Sequence, residues 1–375
     1  MMLSAAQSSV RDAVRTFAQE RVRPLARSFE SAGGYPTSLF GDLGDLGLMG
    51  MMAPESVGGA GVDHVSFVLA LIELAAADGA LSTIVSVQNS LIVSALLKNG
   101  SDQQQSRFLP DLIAGRAIGA FALTESEAGS DAAALRTRAR KTDGGYLLNG
   151  SKHFITSGQI AKITIVYAVT DPEAGRNGIT AFIVPSGRAG YSIEKVERKL
   201  GQWASDTCSV RLADVFVDDG LRLGVEGAGY GIALANLEVG RMGIAAQSVG
   251  MAQAALEIAV KYAKERETFG KPIMEHQAVG CRLADLATRL EAARQLVLAA
   301  ASLKDAGEHC QRYSSMAKLF GSETAEAVVS GALQTLGGYG YLEDYNLAKI
   351  YRDVRVCQIY EGTSDIQRML IARSL

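Results

Sequence analysis

From residue 1 to about 118, apolar positions recur at helical spacing, as in Val10, Val14 and Phe17. The pattern breaks only at GGYP (33–36) and PESVGGAG (54–61), which reads as loops between helices. The stretch HVSFVLALIELAAAD (64–78) is apolar nearly all round, predicting a helix buried on most faces. From about 119 to 225 the period shortens to alternation. Ile163, Ile165, Tyr167 and Val169 share one strand face, with Thr164, Val166 and Ala168 on the other. TAFIVP, YSIEKV and SVRLADVFV continue the series of short strands. Gly144-Gly145 marks a turn before Tyr146, and Asn149-Gly150 predicts a type I′ hairpin turn.

Helical spacing returns beyond residue 226, in Leu283, Leu286, Leu290, Ala293 and Val297, with Asp285 and Arg289 placed for an i,i+4 ion pair. No proline follows Pro272, which favours long uninterrupted helices packed as a bundle. The order is mostly α with a central β domain: helical over 1–118, β over 119–225, and a helical bundle over 226–375. No internal repeat or low-complexity linker divides the chain.

Composition narrows the function classes. The chain has 375 residues, 48% apolar and 21% charged, enough for two or three domains with a large core. With 37 basic against 40 acidic residues and no long basic run, the electrostatic footprint of nucleic-acid binding is missing. Cys208, Cys281, Cys310 and Cys357 are widely scattered, so neither a disulfide framework nor a metal site is suggested, and a reducing cytoplasm is the expected setting, bacterial by the absence of a signal segment at the N-terminus unless the chain has already been trimmed. No unbroken apolar run approaches the roughly 18 to 20 residues of a membrane span, and the N-terminus enters a helical pattern without a signal segment.

Three glycine clusters, GGAG (58–61), GAGYG (227–231) and GGYGY (337–341), lack the strand-to-helix context of a dinucleotide fingerprint; loops and helix caps account for the first two. His64, His153, His276 and His309 have no partner at ligand spacing, and no GxSxG elbow is present. FALTESEAGSD (121–131) sets Thr124, Ser126 and Ser130 among small residues, either a solvated loop or a segment whose backbone closely approaches a ligand. Near the C-terminus, QIYEGTSDIQR (358–368) puts Glu361 just after what reads as a long helix, where the macrodipole opposes a carboxylate. Stability alone gives that residue no reason to be acidic.

FALTESEAGSD, then NGSKHFITSG, RETFGKP, LQTLGGYGY and YRDVRVCQIYEGTSDIQRMLIARSL together resemble the acyl-CoA dehydrogenase family, in family order over nearly the whole chain. The resemblance implies an N-terminal helical domain, a middle β-barrel domain and a C-terminal four-helix bundle. It implies FAD as cofactor and oxidation of an acyl-CoA thioester to its trans-2-enoyl-CoA. Glu361 falls on the family's base, which takes the α proton while the β hydrogen leaves as hydride to flavin N5. The backbone N–H of that glutamate and a flavin hydroxyl then form the oxyanion hole at the thioester oxygen.

By the same resemblance, Phe121, Leu123, Thr124 and Ser130 match the first FAD motif. Phe154 and Thr156 match the second, with Phe154 where many relatives have tryptophan. Arg266 matches the arginine that reaches the FAD pyrophosphate from a neighbouring subunit, a use suited to its bidentate fork. Phe269 and Gln277 follow it. Gln334, Gly337 and Gly338 match a second segment lent across the dimer, and Thr363 and Asp365 match positions near the adenosine half. Asp365 stands where glutamate or glutamine is commoner, and a helix-start acid is its plain structural reading. Glu238, Arg241, Ser130 and Gly362 match the lining of the acyl-CoA channel. Some family branches place the base just before this arginine, where this chain has Gly240, leaving Glu361.

The resemblance further implies an electron-transferring flavoprotein as electron acceptor, a homo-oligomer of at least two and commonly four subunits, and no metal, nucleic acid or membrane partner. LQTLGGYGYLEDY and LIARSL are similar to the isobutyryl-CoA branch, VQNSLIV and VGRMGIA to the butyryl branch, so an acyl chain of about four carbons is expected, although one methylene changes selectivity by only about 1 to 3 kcal/mol. An acyl-CoA oxidase or another flavoprotein oxidase on this scaffold is the alternative enzyme. A helical interaction protein without cofactor is the non-enzymatic one.

Overall fold

The computed structural model describes residues 2–375. α1 (Ala5–Phe17) opens on a capping box: the Gln7 N–H donates to Ser4 Oγ and the Ser4 N–H to Gln7 Oε1. It winds through π-helical Ala18–Val22 toward α2 (Ala26–Ala32) and α3 (Thr37–Asp45). α4 (His64–Ala77), capped by Asp63, is buried at every position from Val65 to Ala77, as its all-round apolar sequence requires. Asp78 breaks the rod and caps α5 (Gly79–Val87), which continues through π-helical Gln88–Val93 into α6 (Ser94–Asn99); α7 (Asp102–Ile113) follows.

The strands are β1 (Gly119–Ala122), β2 (Arg138–Thr142), β3 (Gly145–Thr156), β4 (Ile163–Val169), β5 (Ile179–Pro185), β6 (Tyr191–Val196), β7 (Thr207–Asp218) and β8 (Arg222–Leu223). They form one eight-stranded sheet in the order β6-β7-β3-β2-β4-β5-β8, with β1 parallel to β4. Its two halves meet at the single pair Arg138–Val169. Asn149-Gly150 is not a hairpin turn. Thr142 pairs with Gly145, so the turn is Asp143-Gly144, and β3 runs on through Asn149-Gly150 with a shift in register against β7. Asn149 finds its partners there instead: its amide donates to Asp214 Oδ1 and its carbonyl oxygen accepts the Asp214 N–H, both at 2.9 Å. An irregularity in the β3–β7 ladder has used the residues that usually make a turn.

The C-terminal third comprises α8 (Gly229–Glu265), the small hairpin β9 (Glu267–Thr268) and β10 (Lys271–Pro272), α9 (Gln277–Asp305), α10 (Gln311–Leu336), α11 (Leu347–Val354) and α12 (Ser364–Arg373). Leu283, Leu286, Leu290, Ala293 and Val297 all face inward. Asp285 and Arg289 remain exposed and form no ion pair with each other; the pair on α9 is Arg294 with Glu291, as solvent-screened charges on a helix surface gain little from any one geometry. α8 packs against α4, α9 and α10, so a single apolar core runs from Val14 through Leu71 and Val249 to Val329 and Cys357. A second core lies between the sheet and the helices of 87–113.

Two helices, Gly79–Asn99 and α8, are long and apolar enough on average to cross a membrane, but 94% and 72% of their most apolar windows are buried inside the fold. Packing against other helices accounts for their composition.

Candidate active site

α11 is short and unwinds into a 3-10 turn (Arg355–Gln358), after which the chain crosses to α12, capped by Thr363. Glu361 sits in that crossing, two residues before the N-cap. The opposition expected from a long helix ending beside it therefore does not arise. Its backbone is left-handed, φ +53°, a conformation that costs a non-glycine residue about 1 to 3 kcal/mol unless the surroundings hold it.

Those surroundings are specific. The Gly362 carbonyl accepts hydrogen bonds from Lys318 Nζ at 2.7 Å and Gln367 Nε2 at 2.9 Å. On the other flank the Tyr360 hydroxyl donates to Gln247 Oε1, and Gln247 in turn donates to Thr83 Oγ1 and, at 2.6 Å, to the Gly79 carbonyl. The Thr83 hydroxyl reaches Gln202 Oε1 at 2.7 Å. The side chain of Glu361 is left for other work: Oε2 is buried with no hydrogen-bond partner among the described residues. Burial pushes its pKa up to about 7, against the opposing pull of Lys318 and Arg241. A carboxyl poised near neutrality, with an unused oxygen, can take a proton and give it back.

The helix facing it is α8. Gly240 makes room for the carboxylate, since a Cβ there would stand 2.1 Å from Glu361 Oε2. Arg241 is buried, its Nε without a partner among the described residues, and burial lowers its pKa while Glu361 and Glu238 oppose the shift. Glu238 is already engaged, accepting from Lys304 Nζ at 2.7 Å and Cys310 Sγ at 3.2 Å. Gly362 and Thr363 are half-buried beside the base; Asp365 is exposed in the first turn of α12, 3.5 Å from Arg368, a helix-start acid.

On the β side, Phe121 of β1 packs its ring on Tyr167, 5.0 Å between centroids, and the following loop is pinned by Lys152. This fully buried lysine donates to the Leu123 carbonyl at 3.0 Å and to Glu125 Oε1 at 2.7 Å. Glu125 also accepts the backbone N–H groups of Arg136 and Thr137. The Thr124 carbonyl accepts the His153 N–H at 2.9 Å, tying the loop to β3, and Ser130 is exposed at the far end. Between Lys152 and Ile155 the β3–β7 register shifts, and Phe154, at φ +58°, is turned outward and 67% exposed. Thr156 follows, half-buried.

A groove of about 530 Å³ brings Arg266, Gln334, Gly337 and Gly338 together with Tyr262 and Tyr339; Glu361 is not part of it. Arg266 is exposed there, an always-charged fork with no carboxylate partner among the described residues. Phe269, at the tip of the β9–β10 hairpin, is 97% exposed, and Gln277 is exposed at the start of α9. The residues expected to contact FAD thus fall into separate surfaces of one chain. A free guanidinium over a glycine-lined groove, an outward aromatic and an orphaned carboxylate are features that a large anionic, aromatic cofactor would use. Among the described residues no group of acidic, histidine or cysteine side chains could hold a metal ion.

Sequence reasoning missed Lys152, Lys318, Gln202, Gln247 and Tyr360. Lysines in helical and strand patterns read as solvated, and nothing local to LFGSE or KLGQW marks a long-range partner.

The comparisons with known proteins show the family and the fold. Three family models match along the chain: the acyl-CoA dehydrogenase N-terminal domain over 4–116, the middle domain over 120–215 and the C-terminal domain over 227–375. An acyl-CoA dehydrogenase of Bacillus subtilis is 46% identical over 375 residues, covering 100% of this chain and 99% of that protein. A 3-(aryl)acrylate reductase of Clostridium sporogenes is 41% identical over 375 residues and 100% of both. The structure of butyryl-CoA dehydrogenase from Megasphaera elsdenii superposes with a TM-score of 0.97 at 39% identity, covering 100% of this chain and 99% of that one.

Proposed function

Since this chain belongs to the acyl-CoA dehydrogenase family of FAD-dependent oxidoreductases, we propose that it removes two hydrogens from the α and β carbons of a short acyl-CoA thioester of about four carbons, with Glu361 as the base. The observation that carries this is the Glu361 carboxyl itself, in a half-buried residue, with Oε2 enclosed and unpartnered among the described residues and its pKa raised to about 7.

The carboxylate accepts the α proton, and its raised pKa, about 7, makes it a stronger base than an exposed glutamate while leaving about half of it ionised at neutral pH. FAD, when bound, supplies the hydride acceptor. The Glu361 N–H has no acceptor among the described residues and is free to donate to the thioester oxygen as negative charge develops there. Phe121, Leu123, Thr124, Ser130, Phe154, Thr156, Thr363 and Asp365 line the flavin side, and Ser130, Glu238, Arg241 and Gly362 the acyl-CoA channel. Arg266, Phe269, Gln277, Gln334, Gly337 and Gly338 reach the FAD of a neighbouring subunit, which makes the active unit at least a dimer and, by family habit, a tetramer. The exposure of Arg266 and Phe269 supports that role. Electrons pass on to an electron-transferring flavoprotein.

The test is a steady-state panel of butyryl-, isobutyryl-, 2-methylbutyryl-, isovaleryl- and hexanoyl-CoA with an artificial electron acceptor; no turnover on any of them would defeat the reading. The full-length relative named a reductase favours one further reading, the same site run toward saturation of an enoyl or arylacrylyl thioester. Oxidation of a reduced dye by crotonyl- or cinnamoyl-CoA, faster than the forward rates, would favour it.

A further inference from the structure

Lys318 lies in the first third of α10, fully buried, and among the described residues no carboxylate comes within ion-pair distance of its Nζ. A lysine without an anionic partner is rarely buried, because desolvating the ammonium costs several kcal/mol. Among the described residues its one hydrogen bond, 2.7 Å to the Gly362 carbonyl, holds the Gly362–Thr363 peptide, the second after Glu361. Resting on the reading of Glu361 as the base, we propose that Lys318 is a positioning residue for it: its hydrogen bond fixes the left-handed turn, and its charge keeps the neighbouring carboxylate ionised between turnovers.

The charged groups around this pair are few. Glu361 and Cys357 approach Lys318 from the segment between α11 and α12, Arg241 from α8, and Glu323 from α10 itself. Burial lowers the Lys318 pKa to about 8, with Cys357 and Glu361 raising it and Arg241 lowering it. Burial likewise raises Cys357, so the thiol is neutral and Glu361 is the nearby group whose charge changes around pH 7. Lys318 and Arg241 both pull the carboxyl toward its ionised form, and burial pushes the other way. Arg241 contributes its charge, its Nε having no hydrogen-bond partner among the described residues. Lys318 is the residue that combines charge with a bond to the catalytic turn. It would be stabilised further as long as Glu361 is anionic and would lose that stabilisation when Glu361 holds the substrate proton, which favours returning the proton to solvent.

Lys318→Met removes charge and bond, whereas Lys318→Gln removes the charge and keeps an N–H donor. Two readouts on the FAD-loaded protein separate the roles. Infrared difference titration follows the protonated Glu361 carboxyl, with Glu361→Gln as the blank, and needs no turnover. The pH profile of kcat/KM follows the same group in catalysis. The expected result is an upward shift of the Glu361 midpoint by about one pH unit in both variants, with the acidic limb of the profile moving likewise. At high pH the Gln variant should recover at least several-fold of the kcat lost in the Met variant. An unchanged midpoint in a folded variant overturns the proposal, whether or not any acyl-CoA is turned over. A shifted midpoint in a protein inactive on every acyl-CoA upholds the coupling and rejects the substrate reading instead.

Discussion

Gly240 on α8 and Glu361 in the crossing to α12 approach so closely that a single added carbon on the glycine would lie 2.1 Å from the carboxylate oxygen. No real pair of atoms tolerates that distance, and α8 is a 37-residue helix locked into the core, so the glutamate must yield. Gly240→Ala should therefore bind FAD and melt near the parent temperature, yet lose at least about ten-fold in kcat, because a misplacement of about 1 Å is enough to cost that much. Parent-like turnover in this variant would mean the carboxylate does not act from the position seen.

Burial of Glu361 makes a second prediction, about stability. Its pKa rises on folding from the ordinary 4.5 to about 7, so the folded state binds the proton more tightly than the unfolded one. Stability from this group is complete below about pH 4.5 and is lost as pH rises through 7. Glu361→Gln removes the penalty. Above pH 7 the variant should be the more stable, by up to about 3 kcal/mol, with the advantage vanishing near pH 4.5. Thermal melts of both proteins across that range check it. The same variant should lose most turnover, since an amide cannot accept the α proton.

How far the chain itself reveals this site depends on the distance over which each residue acts. Glu361 and Arg266 each stand in a short local motif, QIYEGTSDIQR and RETFGKP, and the helical and alternating patterns announce α4, β4 and α9 directly. The Asn149-Gly150 pair misled because its turn chemistry is local, while the irregularity it occupies is set by Asp214 across the sheet. Lys318 and Lys152 were invisible for a related reason: a lysine's default is solvent, and only its fold-distant partners, Gly362 and Glu125, show that it is buried. That helices from both ends of the chain share one core is likewise a property of packing between segments more than 150 residues apart, which no window of sequence contains.

The Lys152–Glu125 pair fastens the loop after β1 to β3. Burial lowers the lysine pKa to about 8 even though Glu125 opposes the shift. Lys152→Met would leave Glu125 half-desolvated with only backbone donors, and breaking one partner of a buried pair costs about 3 to 5 kcal/mol. Chemical denaturation should show that loss. Because the loop carries Thr124 and Ser130, the variant should also release FAD more readily, read as recovery of free flavin fluorescence. The double variant Lys152→Met, Glu125→Gln should regain part of the stability.

A second buried cluster joins the segments that meet behind the base. Lys349 of α11 donates to Asp78 at 3.0 Å and to Asp353 at 2.6 Å, and the Tyr35 hydroxyl donates to Asp78 at 3.0 Å. Gln202, from the loop after β6, donates its backbone N–H to Asp353 and its amide to the Asp353 carbonyl, then passes through Thr83 and Gln247 to Tyr360. Burial depresses Lys349, but Asp78 and Asp353 more than offset it, leaving the ammonium charged throughout the physiological range. Two outcomes follow from the geometry. Lys349→Met strands two carboxylates and should destabilise by about 3 to 5 kcal/mol, with Lys349→Met, Asp353→Asn losing less than the single change. Tyr360→Phe leaves the ion cluster intact and removes only the last link before Glu361. It should cost little stability, about 1 kcal/mol, while lowering kcat several-fold with KM nearly unchanged, because the base is displaced without altering where the thioester binds. Equal losses in stability and turnover for the two variants would mean the cluster is scaffolding alone, whereas the split places the Gln202–Tyr360 chain in the alignment of the base.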